Sequence, residues 1–384
     1  MNFHTGDSWL KFTKLFERNK LYYTIDQGGH IMSKIRRMFP GGNTCQGFYS
    51  LHNNIIGENR NRLYILKGMP GGGKSSLMKD IGKRVLEEGL TLEYHHCPSD
   101  PDSIDGLVIE EVGIGIVDGT PPHPMDPVYP GLGDKIVNLA TYIDESKMIG
   151  YKDEIIKAKH KNKKAYRRAF NYFKAAKFVS DEMERTNSEY VDFKEINKMS
   201  REYLHDMFSK DIVEEGNYKF KNRYMFSNAY TPKGYFDYSE TIMDNVRNKY
   251  YLKGSLVTGK STFMKRIMEI ANMEDYHLEI YWNFFAPEKI ESLLIYELDL
   301  IISSNEKVRK GEYQTIDFEQ YFTMSKVDNS DYRMFEKLLS KGTEGLKGAA
   351  RNHLAQENIY NNAIDFDGIN KERESIWKEI KRYI

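Results

Sequence analysis

Two short segments have the residue types and spacing needed to hold a chain of phosphates. Gly68-Met-Pro-Gly-Gly-Gly-Lys74-Ser75 fits G-x-x-x-x-G-K-[ST], and so does Gly254-Ser-Leu-Val-Thr-Gly259-Lys260-Ser261. A triphosphate needs many donors in a small space. Gly68, Gly71, Gly72 and Gly73 let successive backbone N–H groups turn inward, because glycine tolerates positive φ and has no side chain in the way. A helix starting at Lys74 adds its free N–H groups, including that of Ser76, and the positive end of its dipole. Lys74 would reach the β and γ phosphates, and the Ser75 hydroxyl would face Mg²⁺. Gly254, Thr258, Gly259, Lys260, Ser261 and Thr262 offer the same set in the second copy.

Such a loop needs a further acid on the metal side, at the end of a neighbouring strand. Val112-Gly-Ile-Gly-Ile-Val-Asp118 supplies one, so Asp118 is expected beside Ser75 as a metal-side carboxylate. Asp118-Gly119 is also a turn dipeptide, which gives Asp118 a plain structural alternative. His95-His-Cys-Pro-Ser-Asp-Pro-Asp102 concentrates titratable groups after a strand. Zinc is disfavoured there, because adjacent histidines on a strand point to opposite faces and no second ligand pair follows at a finger-like spacing. An edge loop beside the ligand crevice fits better, with Asp100 or Asp102 as the base for a water or an acceptor hydroxyl. A proline-punctuated turn capped by the aspartates is the alternative.

The elements that must position these groups read as α/β. Arg62–Lys67 is a short apolar strand into the first loop, residues 74–88 a helix, residues 91–96 a second strand, and residues 114–117 a third ending at Asp118. Alternating strands and helices imply parallel sheets wound in the right-handed sense. Residues 144–208 then read as long helices, with Ala165, Ala169, Tyr172 and Ala176 at helical spacing. The halves align at an offset of 186: Leu92-Glu93 meets Leu278-Glu279, Pro101 meets Pro287, Ile104 meets Ile290, and Glu111 meets Glu297. Upstream, Thr44-Cys-Gln-Gly-Phe-Tyr49 pairs with Thr231-Pro-Lys-Gly-Tyr-Phe236, and a downstream helical tail aligns at an offset of 173. Ordered matches of this kind indicate duplication. The expected organisation is an N-terminal helical extension at 1–38, with Trp9, Phe12 and Phe16 at helical spacing. A P-loop NTPase domain with a basic helical insert follows at 39–215, and a second, partly degenerate one at 216–384.

The second loop departs from the first. Leu256 and Val257 stand where the first copy has Pro70 and Gly71, and a β-branched residue at positive φ costs about 1–3 kcal/mol. Ser304 stands opposite Asp118, Ala286 and Glu288 replace Asp100 and Asp102, and Asn283 replaces Cys97. This predicts a second site that binds nucleotide weakly or structurally and turns it over slowly. Residues 144–178 carry 11 Lys/Arg against 4 Asp/Glu. Lys157, Lys161, Lys164 and Arg168 form a stripe that suits a solvated face, a lid offering Arg167 or Arg168 to a phosphoryl group, or a nucleic-acid track.

Composition bounds the partners. With 40% apolar and 13% aromatic residues the chain can bury ordinary cores. A formal charge of zero and the lack of a nucleic-acid motif argue against a nucleic-acid partner. Cys45 and Cys97 alone make no disulfide framework, and with no signal-like start and no apolar run of about 18 residues the expected place is the cytoplasm, away from membranes.

The order Gly41-Gly-Asn-Thr44, Gly47-Phe-Tyr49, the first glycine-rich loop through Lys79, Glu93 through Ser103, Asp118-Gly-Thr-Pro-Pro-His123 and Asp126-Pro-Val-Tyr-Pro-Gly131 resembles a poorly characterised bacterial family of tandem P-loop ATPases. The resemblance covers the chain from about Phe39, closely in the first half and more loosely in the second. It implies ATP binding by two P-loop domains with Mg²⁺. Family members usually carry Thr at Gly72 and an intact Pro-Gly-Thr-Gly loop in the second half, from which Leu256 and Val257 depart. The expected function is an ATPase working at the first site. The alternatives are a kinase for a small, nucleotide-type molecule, or a nucleotide-gated switch that grips a protein partner.

Overall fold

The computed structural model describes residues 24–25, 31–33, 35–212, 218–254, 258–323 and 329–384. Six strands form a first sheet: β1 (Ile35–Met38), β2 (Arg62–Lys67), β3 (Leu92–Cys97), β4 (Asp100–Ile109), β5 (Ile114–Asp118) and β6 (Asp134–Asn138), in the order β1-β3-β4-β5-β2-β6. A second sheet holds β7 (Asn222–Met225), β8 (Asn248–Lys253), β9 (Leu278–Trp282), β10 (Ile290–Ile295), β11 (Leu300–Ser303) and β12 (Gln314–Asp317), in the order β7-β9-β10-β11-β8-β12. The two orders are the same, counted from each sheet's first strand.

Both sheets are mostly parallel, and the expectation of wholly parallel sheets is corrected at one strand in each. β4 runs antiparallel to β3 and β5, and β10 to β9 and β11. β4 also corrects the expected edge loop at 95–102, since a strand begins at Asp100. Pro101 hides it in the sequence. The register between β3 and β4 shifts at His95–Cys97, and a proline with no N–H is tolerated at such an irregularity.

The helices α1 (Lys74–Glu87), α2 (Lys152–Ser188), α3 (Phe193–Phe208), α4 (Lys260–Met273), α5 (Asn329–Asn361) and α6 (Phe366–Ile380) complete the framework. No described helix is long and apolar enough to cross a membrane. One face of the first sheet packs on α1 and, through Ile369, Ile376 and Ile380, on α6. One face of the second sheet packs on α4 and, through Ile196, Met199 and Met207, on α3. The tails are thus exchanged: the helix that follows the first sheet in sequence covers the second sheet, and the reverse. The division at residues 215 and 216 therefore does not separate the two cores. The remaining faces meet in a shared core, where Ile65, Val108 and Val117 contact the side of Tyr251, Leu294 and Ile301. The layers are helix, sheet, sheet, helix.

The seam between the halves is built from equivalent residues. Phe39 and Phe226 exchange backbone bonds, N to O at 2.8 and 3.0 Å. Arg36 and Arg223 are buried with Glu93 and Glu279, each arginine bonding both carboxylates. β1 lies within the stretch expected as a helical extension, and the short strands Thr24–Ile25 and Ile31–Ser33 precede it, so these three strands correct that expectation. Trp9, Phe12 and Phe16 lie outside the described residues.

The long helices α2 and α5, of 37 and 33 residues, pack on each other along a small-residue seam. A Cβ on Gly345 would lie 2.8 Å from the Ala169 Cβ, and one on Gly342 would enter the Phe173 ring. A Cβ on Gly348 would meet Ala165 at an ordinary 3.8 Å. Gly345→Leu is therefore expected to destabilise the fold by about 1–3 kcal/mol through overpacking. Gly348→Ala is expected to be neutral or to stabilise by up to about 1 kcal/mol. Urea denaturation midpoints of the two variants check this; equal effects would contradict the close packing.

Candidate functional site

β2 is buried on both faces and delivers the first glycine-rich loop to the C-terminal end of the sheet. Gly71 and Gly73 adopt left-handed φ of 72° and 73°, and a Cβ on Gly72 would meet the Met69 carbonyl at 3.0 Å. Gly73 caps α1 without a capping side chain. The first-turn N–H groups of α1 are thus left for a ligand, a ready anion site. Lys74 Nζ donates to Met69 O at 2.9 Å and lies 3.6 Å from Asp118 Oδ2. The other Asp118 oxygen accepts from Thr120 N and Oγ1, at 2.9 and 2.6 Å, which fixes the carboxylate. β5 pairs directly with β2, Leu66 opposite Asp118, and this pairing brings Asp118 to the loop. Ser75 Oγ accepts from Ile104 N at 3.1 Å, tying the loop to β4. Gly68 lies against Leu139, and Ser76 is exposed on the cleft wall.

Asp100 and Asp102 are placed differently from the expectation. Both carboxylates are ion-paired to Lys233 from the other half, at 2.8 and 2.5 Å, and Ser103 Oγ donates to Asp100 at 2.7 Å. These contacts occupy them as a clasp between halves, and Asp102 does not line the cleft. A third carboxylate, Asp105, lies three residues further along β4, lines the cleft and is only 4% exposed. Pro101 disguises its strand in the sequence.

Asp105 faces the Nε2 edges of two stacked imidazoles. His52 Nε2 is 3.4 Å and His123 Nε2 3.7 Å from Asp105 Oδ2, and the rings lie 3.9 Å apart at 11°. Burial pushes the His52 imidazole down to about 3 and lowers that of His123, so both are neutral near pH 7. Burial raises the Asp105 carboxyl to about 6, against the opposing pull of His123. The Cys97 thiol lies against the same carboxylate and is raised well above its ordinary range, first by burial and then by Asp105. His95 and His96 do point apart: His96 Nδ1 lies 2.9 Å from Pro101 O, while His95 Nε2 lies 3.4 Å from Glu93.

The cleft over the loop has a volume of about 2310 Å³. Its walls carry eleven lysines and arginines against four carboxylates, the balance a polyanion requires. α2 contributes Lys159, Lys163 and Arg167, while α5 and α6, from the other half, contribute Lys347, Arg351 and Arg373. The expected basic stripe is thus shifted. Lys161 and Arg168 turn to a smaller groove between α2 and α5, Lys164 reaches both, and Lys157 is exposed. Of the two arginines considered as a lid, Arg167 faces the cleft and Arg168 stacks over Tyr172.

The second loop keeps its lysine in a different setting. Gly259 has φ 90° and caps α4. Lys260 Nζ bonds Gly254 O and Thr258 Oγ1, and burial pushes its ammonium down to about 8 against the pull of Glu319. Ser261 is half-buried and Thr262 exposed. The β8–β11 register puts Ser304 at the place of Asp118, with its hydroxyl bonded to Glu291 O at 3.3 Å. Glu291 stands where the first half has Asp105, and Ser239 where it has His52. Asn228 and Ser227 donate to Glu291, and burial raises its carboxyl to about 7. Leu256 and Val257 lie outside the described residues, so the strain expected of that loop has no structural counterpart to report.

Comparison with known protein families, with curated proteins and with solved structures gives no match to this chain.

Proposed function

We propose that the chain binds a nucleoside triphosphate, ATP by the sequence resemblance, at Gly68–Ser76 and hydrolyses its terminal phosphate there, the second loop serving a structural or regulatory role. The observation that carries this reading is the joint placement of left-handed glycines, an uncapped helix start, Lys74 and Asp118 at the floor of one cationic cleft. Ser75 and Asp118 offer the hard oxygen donors that suit Mg²⁺, and they would hold it. Bound Mg²⁺ would supply charge neutralisation on the phosphates. Lys74 would exchange its contacts with Met69 O and Asp118 for phosphate oxygens, and Arg167 and Arg351 would add charge from the roof. Asp100 and Asp102, both held by Lys233, are not assigned the role of base.

A second reading has its own support. The cleft is larger than the ~300–1,000 Å³ common for small-molecule sites, which leaves room for a phosphoryl acceptor beside the nucleotide. Phosphate release by the full chain with ATP and Mg²⁺ alone separates the two. Steady turnover without any acceptor supports hydrolysis. Tight, Mg²⁺-dependent binding with no release points to transfer, and absence of binding contradicts both.

A further inference from the structure

We propose that His52, Asp105 and His123 form a binding site for one borderline divalent transition-metal ion of the Zn²⁺ class, in the wall of the phosphate cleft. Among the described residues these three bring their ligand atoms within 4.8 Å of one another, and all are buried. The separations of 3.4 and 3.7 Å exceed the usual hydrogen-bond range of about 2.7–3.2 Å. They match the edge of a tetrahedron, about 3.3 Å when each donor is ~2.0–2.1 Å from a central zinc.

The outer nitrogens set the direction of the lone pairs. His123 Nδ1 faces the Asp118 carbonyl at 3.0 Å, which can only accept, so Nδ1 carries the proton and Nε2 presents its lone pair to Asp105. His52 Nδ1 lies 2.9 Å from the Ser50 hydroxyl, which can accept from it or donate to it, so this contact allows either tautomer. An imidazole oriented through its far N–H by a carbonyl or hydroxyl is the usual arrangement of a metal-binding histidine. With the Ser50 hydroxyl accepting, both Nε2 lone pairs would face Asp105, and the parallel rings, 3.9 Å apart, would tilt to share one cation.

The repeat supplies a control. At the equivalent places the second half has Ser239 and Glu291, and there Asn228 and Ser227 donate to the carboxylate. The carboxylate of that half is met by amide and hydroxyl donors, that of the first half by two imidazoles and the Cys97 thiol. Two nitrogen donors and one oxygen favour a borderline ion over Mg²⁺, so this site is separate in kind from Ser75 and Asp118. Three protein ligands leave a position open. Asp105 and His123 line the cleft, which provides the entry path. The inference stands independently of nucleotide turnover.

The test uses the full chain, stripped with a chelator and titrated with Zn²⁺ by calorimetry without nucleotide. One ion per chain is expected, with affinity lowered on the order of 10²-fold or more in His123→Gln and in Asp105→Asn. X-ray absorption on the zinc-loaded natural chain is independent of variant folding. It should show imidazole scattering from two histidines and a first shell of nitrogen and oxygen without sulfur. No stoichiometric binding, a sulfur-containing shell, or undiminished binding by a folded His52→Ala/His123→Ala variant would overturn the proposal.

Discussion

Lys74→Ala is expected to lower ATP turnover by on the order of 10²–10³-fold, while Lys260→Ala leaves most of it in place. The first figure is typical for removing one preorganised donor from a site where charge develops. Lys74 meets that description, since it stands on the floor of the cationic cleft, 3.6 Å from the only carboxylate carried at the end of β5. Lys260 differs in each respect. Its ammonium is held by its own loop, Ser304 takes the place of the metal-side acid, and burial has moved it toward neutrality. Phosphate release by both variants, each checked for a natural melting transition, gives the comparison. Equal losses would show that the two loops act together. A loss confined to Lys260→Ala would reverse the assignment.

Arg223→Met is expected to destabilise the chain by about 3–5 kcal/mol, the effect of stranding buried carboxylates by removing their partner. Arg223 bonds Glu93 at 2.5 Å, Glu279 at 2.8 Å, and the carbonyls of Asn54 and Ile55 at 2.9 Å. Burial alone would raise the Glu93 carboxyl, but Arg223 and then Arg36 outweigh it and hold it well below the usual carboxylate range. Glu279 is lowered in the same way, with Arg36 the larger partner. A depressed carboxyl contributes stability that is complete above its unfolded pKa, near 4.5, and that is lost as pH falls toward the folded value. The natural chain should therefore lose stability steeply below about pH 4.5, and Arg223→Met should flatten that slope. Arg223→Met/Glu93→Gln should recover part of the loss, because one stranded charge is gone. Urea midpoints at pH 7 and pH 4 report all three. An Arg223→Met midpoint equal to the natural one would mean that the seam is not held by this cluster.

Some of this architecture is written in short-range signals. The glycine-rich loops, the apolar run of β2 and the β5 strand ending at Asp118 declare themselves within a few residues, because each needs a local backbone geometry. The equal strand orders follow from matched spacing of the halves. Other features depend on partners far away in sequence. The apolar stripes of α3 and α6 state that each must be covered, and nothing in them states by which sheet. Asp105 is hidden in the sequence because its strand opens with Asp-Pro-Asp, which reads as a turn. His52 and His123 lie 53 residues before and 18 after it, and only the β4 register and the Asp118–His123 turn bring them together. Lys233 illustrates the opposite error. Asp100 and Asp102 looked free for catalysis because their counter-ion lies in the other half.

The most direct test of the proposed first-site assignment is a structure of the full chain with a non-hydrolysable ATP analogue and Mg²⁺. The phosphates are expected on the backbone of Gly71–Ser75, with the metal at Ser75 Oγ and on the Asp118 side of the cleft. Arg167 and Arg351 are expected closer to the γ position than in the ligand-free chain. Nucleotide found only at Lys260, or at the first loop with the metal away from both Ser75 and Asp118, would contradict it.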